Sequence, residues 1–250
     1  KMRMKWNPLG ALLLAGLATL AAAAPARAVI GTIDQVPAAT LLLPYFEVDL
    51  ADPAGITTLF SINNASATAV LTHVVVWSDL SVPVLDFNCY LTGYDVQSIN
   101  LRDVLVLGKL CQTASAGQDP ADTISPRGQF SIDANFPSCD GQLPPPTLPA
   151  LYTDHLRAAL TGRFSNLLGG CAGRPFGDSV ARGYVTVDTV RDCTLRFPGD
   201  LGYFVSGGLG DATDQNVLWG DYFFADSTSA RGGTLVPLEA SPTDPRVTTL

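Results

Sequence analysis

Glutamate and lysine are nearly missing from this 250-residue chain. There are two glutamates, Glu47 and Glu239, and three lysines, of which only Lys109 lies beyond residue 28. Solvated helices are built largely from these two residues, so an all-helical or coiled-coil architecture is excluded. Histidine is as scarce, with His73 and His155 alone. That leaves little room for imidazole-rich metal chemistry. No C-x-x-C pair occurs, so the cysteine spacing does not suggest a zinc site. The G-x-S-x-G nucleophile elbow is absent. Beyond residue 28 no stretch is long and apolar enough to span a bilayer.

The first 28 residues differ from the rest. Lys1, Arg3 and Lys5 are basic, Leu9 to Ala24 is apolar and uncharged, and Ala26-Arg27-Ala28 places small residues where a signal peptidase reads them. The run is short and rich in alanine, which favours a cleaved signal over residues 1–28 rather than a retained anchor. The expected address is secreted, periplasmic or cell-surface, with no transmembrane segment after the signal. No cysteine near the cleavage point supports a lipoprotein. The chain starts at Lys1 and stops at Leu250 without a closing element, so truncation at the C-terminus is expected.

Of the 15 Lys and Arg, four lie in the leader, while all 23 Asp and Glu lie beyond it. Residues 29–250 therefore carry 11 basic against 23 acidic residues, a net charge near −12. Such a surface repels phosphate backbones, so nucleic acid is excluded as a partner class. Aspartate, glycine and proline are abundant, which is a strand-and-turn composition.

Alternation organises the first half. Residues 39–47 read as a strand broken by Pro44. Ile56 to Ile62 is the next strand, followed by a turn at Asn63-Asn64-Ala65-Ser66. In the strand from Thr68 to Trp77, Leu71, His73, Val75 and Trp77 share one face and Val70, Thr72, Val74 and Val76 the other. Both faces are largely apolar, which predicts a central strand. Val84 to Leu91 sets Leu85, Phe87, Cys89 and Leu91 against Asp86, Asn88 and Tyr90, a strand with one buried face. Tyr94 to Leu105 reads as one or two more strands.

Residues 112–147 are loop-like, with a short strand at Gln129 to Ile132. Leu148 to Thr161 is the one helix, capped by Thr147, striped by Tyr152, Leu156, Ala159 and Leu160, and ended by Gly162. Strands return at Gly183 to Val190, Asn216 to Phe224 and Thr234 to Glu239. The expected fold is mainly β: a single antiparallel β-sandwich, Ig-like or similar, over residues 29–250. A long loop with one helix is inserted at about 106–180.

Three segments resemble a group of exported bacterial proteins with no established activity. They are Leu41-Leu42-Leu43-Pro44-Tyr45-Phe46-Glu47-Val48-Asp49, Thr58-Leu59-Phe60-Ser61-Ile62-Asn63-Asn64 and Val84-Leu85-Asp86-Phe87-Asn88-Cys89-Tyr90-Leu91-Thr92-Gly93-Tyr94-Asp95-Val96. Gly183-Tyr184-Val185-Thr186-Val187-Asp188 and Asn216-Val217-Leu218-Trp219-Gly220-Asp221-Tyr222-Phe223-Phe224 fit the same group. The resemblance covers most of residues 38–240. It implies a secreted β-sandwich-like protein and carries no functional residue.

Five cysteines on an exported chain suggest disulfides, with at least one left over. Cys139–Cys171 is the first candidate, since it would clasp the Pro/Gly-rich excursion. Cys89–Cys111 is the second. Candidate chemistry is thin. His73 lies on an apolar strand face, where a core histidine with a satisfied hydrogen bond is the commoner role. His155 reads as a solvated or packing residue on the helix. Gly177-Asp178-Ser179 is similar to the nucleophile block of one esterase superfamily but lacks its Asp-x-x-His partner, and is read as chance. Asp49 with Asp52, Asp119 with Asp122 and Asp211 with Asp214 are calcium candidates, weighed against the ordinary use of Asp in turns. Trp77, Trp219, Tyr222, Phe223 and Phe224 offer an aromatic platform for sugars, with Trp219 and Tyr222 as its binding residues, or simply core packing.

The residues favour a non-enzymatic secreted or cell-surface protein acting in structure or interaction, without deciding against catalysis. No catalytic residue and no cofactor are assigned. That reading anticipates no deep polar cleft and no clustered titratable groups. The alternatives are a carbohydrate-binding or carbohydrate-acting protein and a calcium-stabilised extracellular module. The partner classes left open are an extracellular protein or a glycan.

Overall fold

Period-two alternation becomes two packed antiparallel sheets. The computed structural model describes residues 36–111 and 147–240, apart from residues 168 and 171. The leader, the strand expected at Gln129 to Ile132, Asp119 with Asp122, and the Cys139–Cys171 pairing lie outside the described residues. The described residues belong to one unit, Gln35–Leu250.

The strands are β1 (Thr40–Asp49), β2 (Thr57–Asn64), β3 (Val70–Ser78), β4 (Pro83–Leu91), β5 (Val96–Asn100), β6 (Val180–Val190), β7 (Leu218–Trp219), β8 (Asp221–Ala225), β9 (Ala230–Thr234) and β10 (Val236–Leu238). The first sheet has the order β10-β1-β6-β3-β4. The second has the order β5-β2-β8-β9, with β7 also paired to β2. The expected antiparallel β-sandwich is the observed architecture, and β3 is an interior strand, paired to β4 and β6. Pro44 falls where the β1–β6 register shifts, between Leu43 and Phe46, because it has no N–H to give the ladder.

The core fills the space between the sheets. Leu41, Leu43, Phe46, Val74, Val76, Phe87, Val185 and Val187 come from the first sheet and Phe60, Ile62, Ile99 and Leu218 from the second. Burying each such side chain stabilises by about 1.5–3 kcal/mol. Leu235 links β9 in one sheet to β10 in the other and is itself buried in the core. Its N–H bonds the Gly220 carbonyl at 2.9 Å. One strand-like stretch thus crosses from sheet to sheet.

Four local expectations need correction. Tyr94 to Leu105 is not all strand: β5 ends at Asn100 and a short helix, α1 (Leu101–Leu107), follows. The Asn100 side chain accepts the Arg102 N–H, Leu101, Val104 and Leu105 make a buried i, i+3, i+4 stripe, and Gly108 at φ 69° closes the turn. Asn63 and Asn64 end β2 rather than forming the turn. The second helix, α2 (Ala150–Leu160), has Pro149 at its N-cap, while Thr147 bridges to Lys109. Its Tyr152 is exposed, and Thr153 and His155 take the buried positions instead. Finally, β4 buries both faces, because the segment at 191–217 lies over its Asn88 and Tyr90 side.

Cys89 and Cys111 form a disulfide with Cα atoms 6.1 Å apart, tying β4 to the chain just after α1. Cys193 is also disulfide-bonded. Among the described residues no helix is long and apolar enough to cross a membrane.

Candidate functional site

Register places four polar side chains in a row across the first sheet. His73 on β3 lies opposite Asp188 on β6 and Asn88 on β4, and Asp188 lies opposite Thr40 on β1. All four point away from the sandwich core, on the parity of Leu71, Asp86 and Thr186. An outer sheet face normally meets water. Here residues 191–217, the connection from β6 to β7, fold back over it as a strap.

The strap is held by complementary polar contacts. The Thr213 N–H bonds the Thr189 carbonyl at 2.8 Å, and the Arg191 N–H bonds the Asp211 carbonyl at 2.9 Å. Gly208, at φ +63°, lets the strap turn against Asp214, where a Cβ would come within 2.6 Å of the Asp214 nitrogen. Tyr203 is the strap's anchor and is fully buried. Its ring packs edge-on to Phe204 and tilted against His73, 5.8 Å between centroids.

The row and the strap share one hydrogen-bond network. The Tyr203 hydroxyl donates to Asp188 Oδ2 at 2.8 Å, and the Thr40 hydroxyl donates to Oδ1 at 2.5 Å. Asn88 Nδ2 donates to the Thr194 carbonyl at 3.0 Å, while Asn88 Oδ1 accepts the Thr194 N–H at 3.3 Å and faces His73 Nδ1 at 3.1 Å. The Thr194 hydroxyl donates to Asp211 Oδ2 at 2.6 Å, and Arg196 pairs with Asp211 Oδ1 at 3.1 Å. His73 Nε2 lies 3.9 Å from Asp86 Oδ2, and neither atom has a hydrogen-bond partner.

Burial dominates the electrostatics of this layer. It pushes the Asp188 carboxyl up to about 6, against the pull of its two hydroxyl donors. It raises Asp86 to about 6 as well. Burial lowers His73, opposed by Asn88, the Arg196 backbone and the Asp211 charge. Burial and the neighbouring Asp188 hold the Tyr203 phenol far above its ordinary range. Titratable groups therefore do cluster, contrary to the expectation for a non-enzymatic sandwich. They cluster inside the protein: His73, Asp188 and Tyr203, with the neutral Asn88 beside them, are each at most 1 % exposed. Asp188 and Asn88 have both side-chain polar atoms engaged. The arrangement binds the strap and, among the described residues, keeps these four side chains from the surface.

The other candidates fall elsewhere. Trp77 is half-buried, stacked on Tyr184 at 5.6 Å, with its N–H on Thr186 at 2.9 Å. Trp219 and Tyr222 are not brought together. The β2–β8 register pairs Tyr222 with buried Phe60 and the β2–β7 register pairs Trp219 with Asn63, so the two rings leave the second sheet on opposite faces. Tyr222 and Phe224 share a face, and Tyr222 packs on the core. Trp219, Asp221 and Phe223 share the outer face with Leu59 and Val96. Phe223 is 50 % and Val96 59 % exposed.

His155 is buried on α2 and its Nδ1 bonds the Ser165 hydroxyl. Ser165 Oγ also takes the Leu167 N–H at 3.1 Å. The neighbouring Asp154 is engaged by Arg157 at 2.6 Å rather than by the imidazole. The pair closes the chain after α2. A shallow depression of about 140 Å³ at the pair is lined by Leu151, Asp154, His155, Phe164, Ser165 and Leu167. In Gly177-Asp178-Ser179, the Arg182 guanidinium grips Asp178 at 2.8 Å and holds its carboxyl below the usual range. Ser179 donates to Asp49 at 3.3 Å. No histidine adjoins that serine.

Asp49 and Asp52 act in a turn, whereas Asp211 fastens the strap. Asp49 Oδ1 accepts the N–H groups of Ala51 and Asp52, and Asp52 Oδ1 accepts that of Ala54. Asp211 is taken by Thr194 and Arg196. Among the described residues no three His, Cys, Asp or Glu gather as metal ligands.

The polar row was the feature sequence reading missed. Its signal was present in the second faces of two strands, Asp86-x-Asn88 and Thr186-x-Asp188, together with His73 between them. No family model, no curated protein and no solved structure matches the chain.

Proposed function

We propose that this chain is an exported, non-enzymatic interaction module that meets its partner through the outer face of the second sheet. The observation that carries the reading is the contrast between the sheets. The polar groups of the first sheet are sealed under a strap, whereas the second sheet leaves Trp219, Asp221, Phe223, Leu59 and Val96 on one outer face. The exposed Phe223 ring, with part-buried Trp219 and a carboxylate beside it, favours a protein contact whose rim is polar. The basic, then apolar, then small-residue order of residues 1–28 supports export. The disulfide between Cys89 and Cys111 supports an oxidising compartment.

A carbohydrate reading draws on the same face, since Trp219 and Phe223 are rings on which a sugar can stack. One experiment separates the two. The chain from Val29 onward is screened against a glycan array and against extracytoplasmic proteins of its source, as wild type and as Trp219→Ala/Phe223→Ala. The reading expects a protein partner that is lost in the double variant while the melting temperature holds. Glycan binding lost in that variant would establish the carbohydrate reading instead. A partner retained by the double variant would remove this face from consideration. Export is tested by mass spectrometry of the chain expressed with its leader, which should begin at Val29.

A further inference from the structure

Each sheet ends in two edge strands, and an edge strand offers unpaired N–H and C=O groups to any chain that reaches it. These are β10 and β4 in the first sheet and β5 and β9 in the second. Three of the four are closed locally. β4 is buried along most of its length, with Cys111 Sγ 3.4 Å from its Asn88 carbonyl. In β5 the Ser98 carbonyl is taken by the Gln97 amide at 3.0 Å, and Asn100 is committed to capping α1. β10 has three residues, one of them Pro237, which has no N–H to offer.

β9, Ala230-Arg231-Gly232-Gly233-Thr234, has none of these devices. All five residues are exposed, and among the described residues β8 is the one strand paired to it. Hydrogen bonds at both ends of the β8–β9 pair fix which groups face outward. The Asp226 N–H bonds the Ser229 carbonyl at 3.0 Å in the turn, and the Leu235 N–H bonds the Gly220 carbonyl at 2.9 Å past the other end. Bonded and non-bonded pairs alternate between them. Arg231 and Gly233 therefore bond back to β8, while Ala230, Gly232 and Thr234 turn their N–H and C=O away from it.

We propose that a second copy of this chain pairs with β9, antiparallel across a two-fold axis at Gly232, and joins the two second sheets into one. In that register Gly232 meets its counterpart and each Ala230 meets the other copy's Thr234, which gives about six backbone hydrogen bonds. The edge is complementary to itself. Its single charged residue, Arg231, falls opposite a glycine rather than opposite the other arginine, and each guanidinium is turned back over its own Phe224 ring at 5.4 Å. The residues that meet on the outer face are alanine, glycine and threonine, so no large side chain obstructs the approach. Pairing at this edge needs only backbone, and it stands whether or not the outer face beside it takes a partner. The net charge of −8 on each copy opposes association, so added salt strengthens it.

The test is sedimentation of the purified chain from about 5 to about 500 μM, which should show a monomer–dimer equilibrium that tightens with salt. Two double variants probe the register through exposed positions. Ala230→Lys/Thr234→Lys sets like charges against each other twice and should weaken the dimer at least about tenfold. Ala230→Glu/Thr234→Lys sets opposite charges there and should tighten it about threefold. In a second measurement on the wild type, the amides of Ala230, Gly232 and Thr234 should exchange more slowly at the high concentration than at the low one, with Val96 and Ser98 on β5 unchanged. A chain that stays monomeric to the highest concentration would overturn the proposal. So would a dimer that the two double variants leave equally tight. If either variant does not fold, the exchange measurement decides alone, and equal rates for the β9 amides at both concentrations would overturn it.

Discussion

The outer faces of the two sheets are built from opposite materials. The first sheet carries Thr40, Asp188, His73 and Asn88 in a row and is roofed by the strap. The second carries Leu59, Trp219, Asp221, Phe223 and Val96, with Phe223 and Val96 at least half exposed. Ordinary solvation would reverse this, putting the polar row in water and the aromatic face under cover. The inversion teaches that the polar row is a fastening. Buried polar groups are tolerated where their donors and acceptors match, and the strap supplies the matches. On the second face Phe223 and Val96 stand in the open, and that is where the proposed partner would dock.

The contrast can be broken most forcefully at Tyr203. Tyr203→Ala removes the strap's one fully buried ring and a donor to Asp188, and should cost about 3–5 kcal/mol in urea denaturation. A loss under about 1 kcal/mol would mean that the strap is not anchored there. Opening the Cys89–Cys111 bond, by Cys89→Ala with Cys111→Ala, should cost about 3 kcal/mol through the freed loop. It tests the first sheet from its core side. Asn88→Ala leaves the Thr194 N–H and His73 Nδ1–H without an acceptor, with an expected loss of about 1–3 kcal/mol. Equal stability in that variant would show the network to be dispensable.

A pH series sharpens the comparison further. Asp86 and Asp188 are both raised from 3.8 to about 6. Their contribution to stability is complete below about pH 4 and is lost as pH rises through 6. His73 is lowered, so its contribution is lost as pH falls below 6.5. Two carboxylates against one imidazole leave the folded state with about one extra proton near pH 5. Stability should therefore fall by about 1 kcal/mol in total between pH 5 and 7, nearly all of it below pH 6, and Asp188→Asn should flatten that fall. A rise in stability over the same interval would reverse the assignment. The smallest effect belongs to the open face. Phe223→Ala should change stability by less than about 1 kcal/mol, since half its ring already meets solvent.

Much of the sandwich was legible in sequence because alternation of period two is a local signal. Val70 to Val76 and Leu85 to Leu91 announced their core faces directly. α1 was missed because five residues of strand and seven of helix share one apolar stretch, and only Asn100 and Gly108 mark the change. The platform of Trp219 with Tyr222 failed on parity, since residues three apart in a strand point to opposite faces. The fastening was hidden for a different reason. Asp86, Asn88 and Asp188 look like solvent-facing positions until a strap more than a hundred residues after β4 is laid over them. Register across four strands and a returning loop are not local properties.

The most direct test of the inversion is native-state hydrogen exchange at pH 5.5, comparing strap amides with sheet amides. Thr194, Ala212 and Thr213 donate to Asn88, Tyr203 and Thr189, respectively. If the polar row is a sealed fastening, these amides should exchange within about tenfold of Val187 in the middle of β6. Exchange as fast as that of the exposed turn at Ser227 and Thr228 would mean that the first sheet's outer face is open to water and that the contrast between the two faces does not exist.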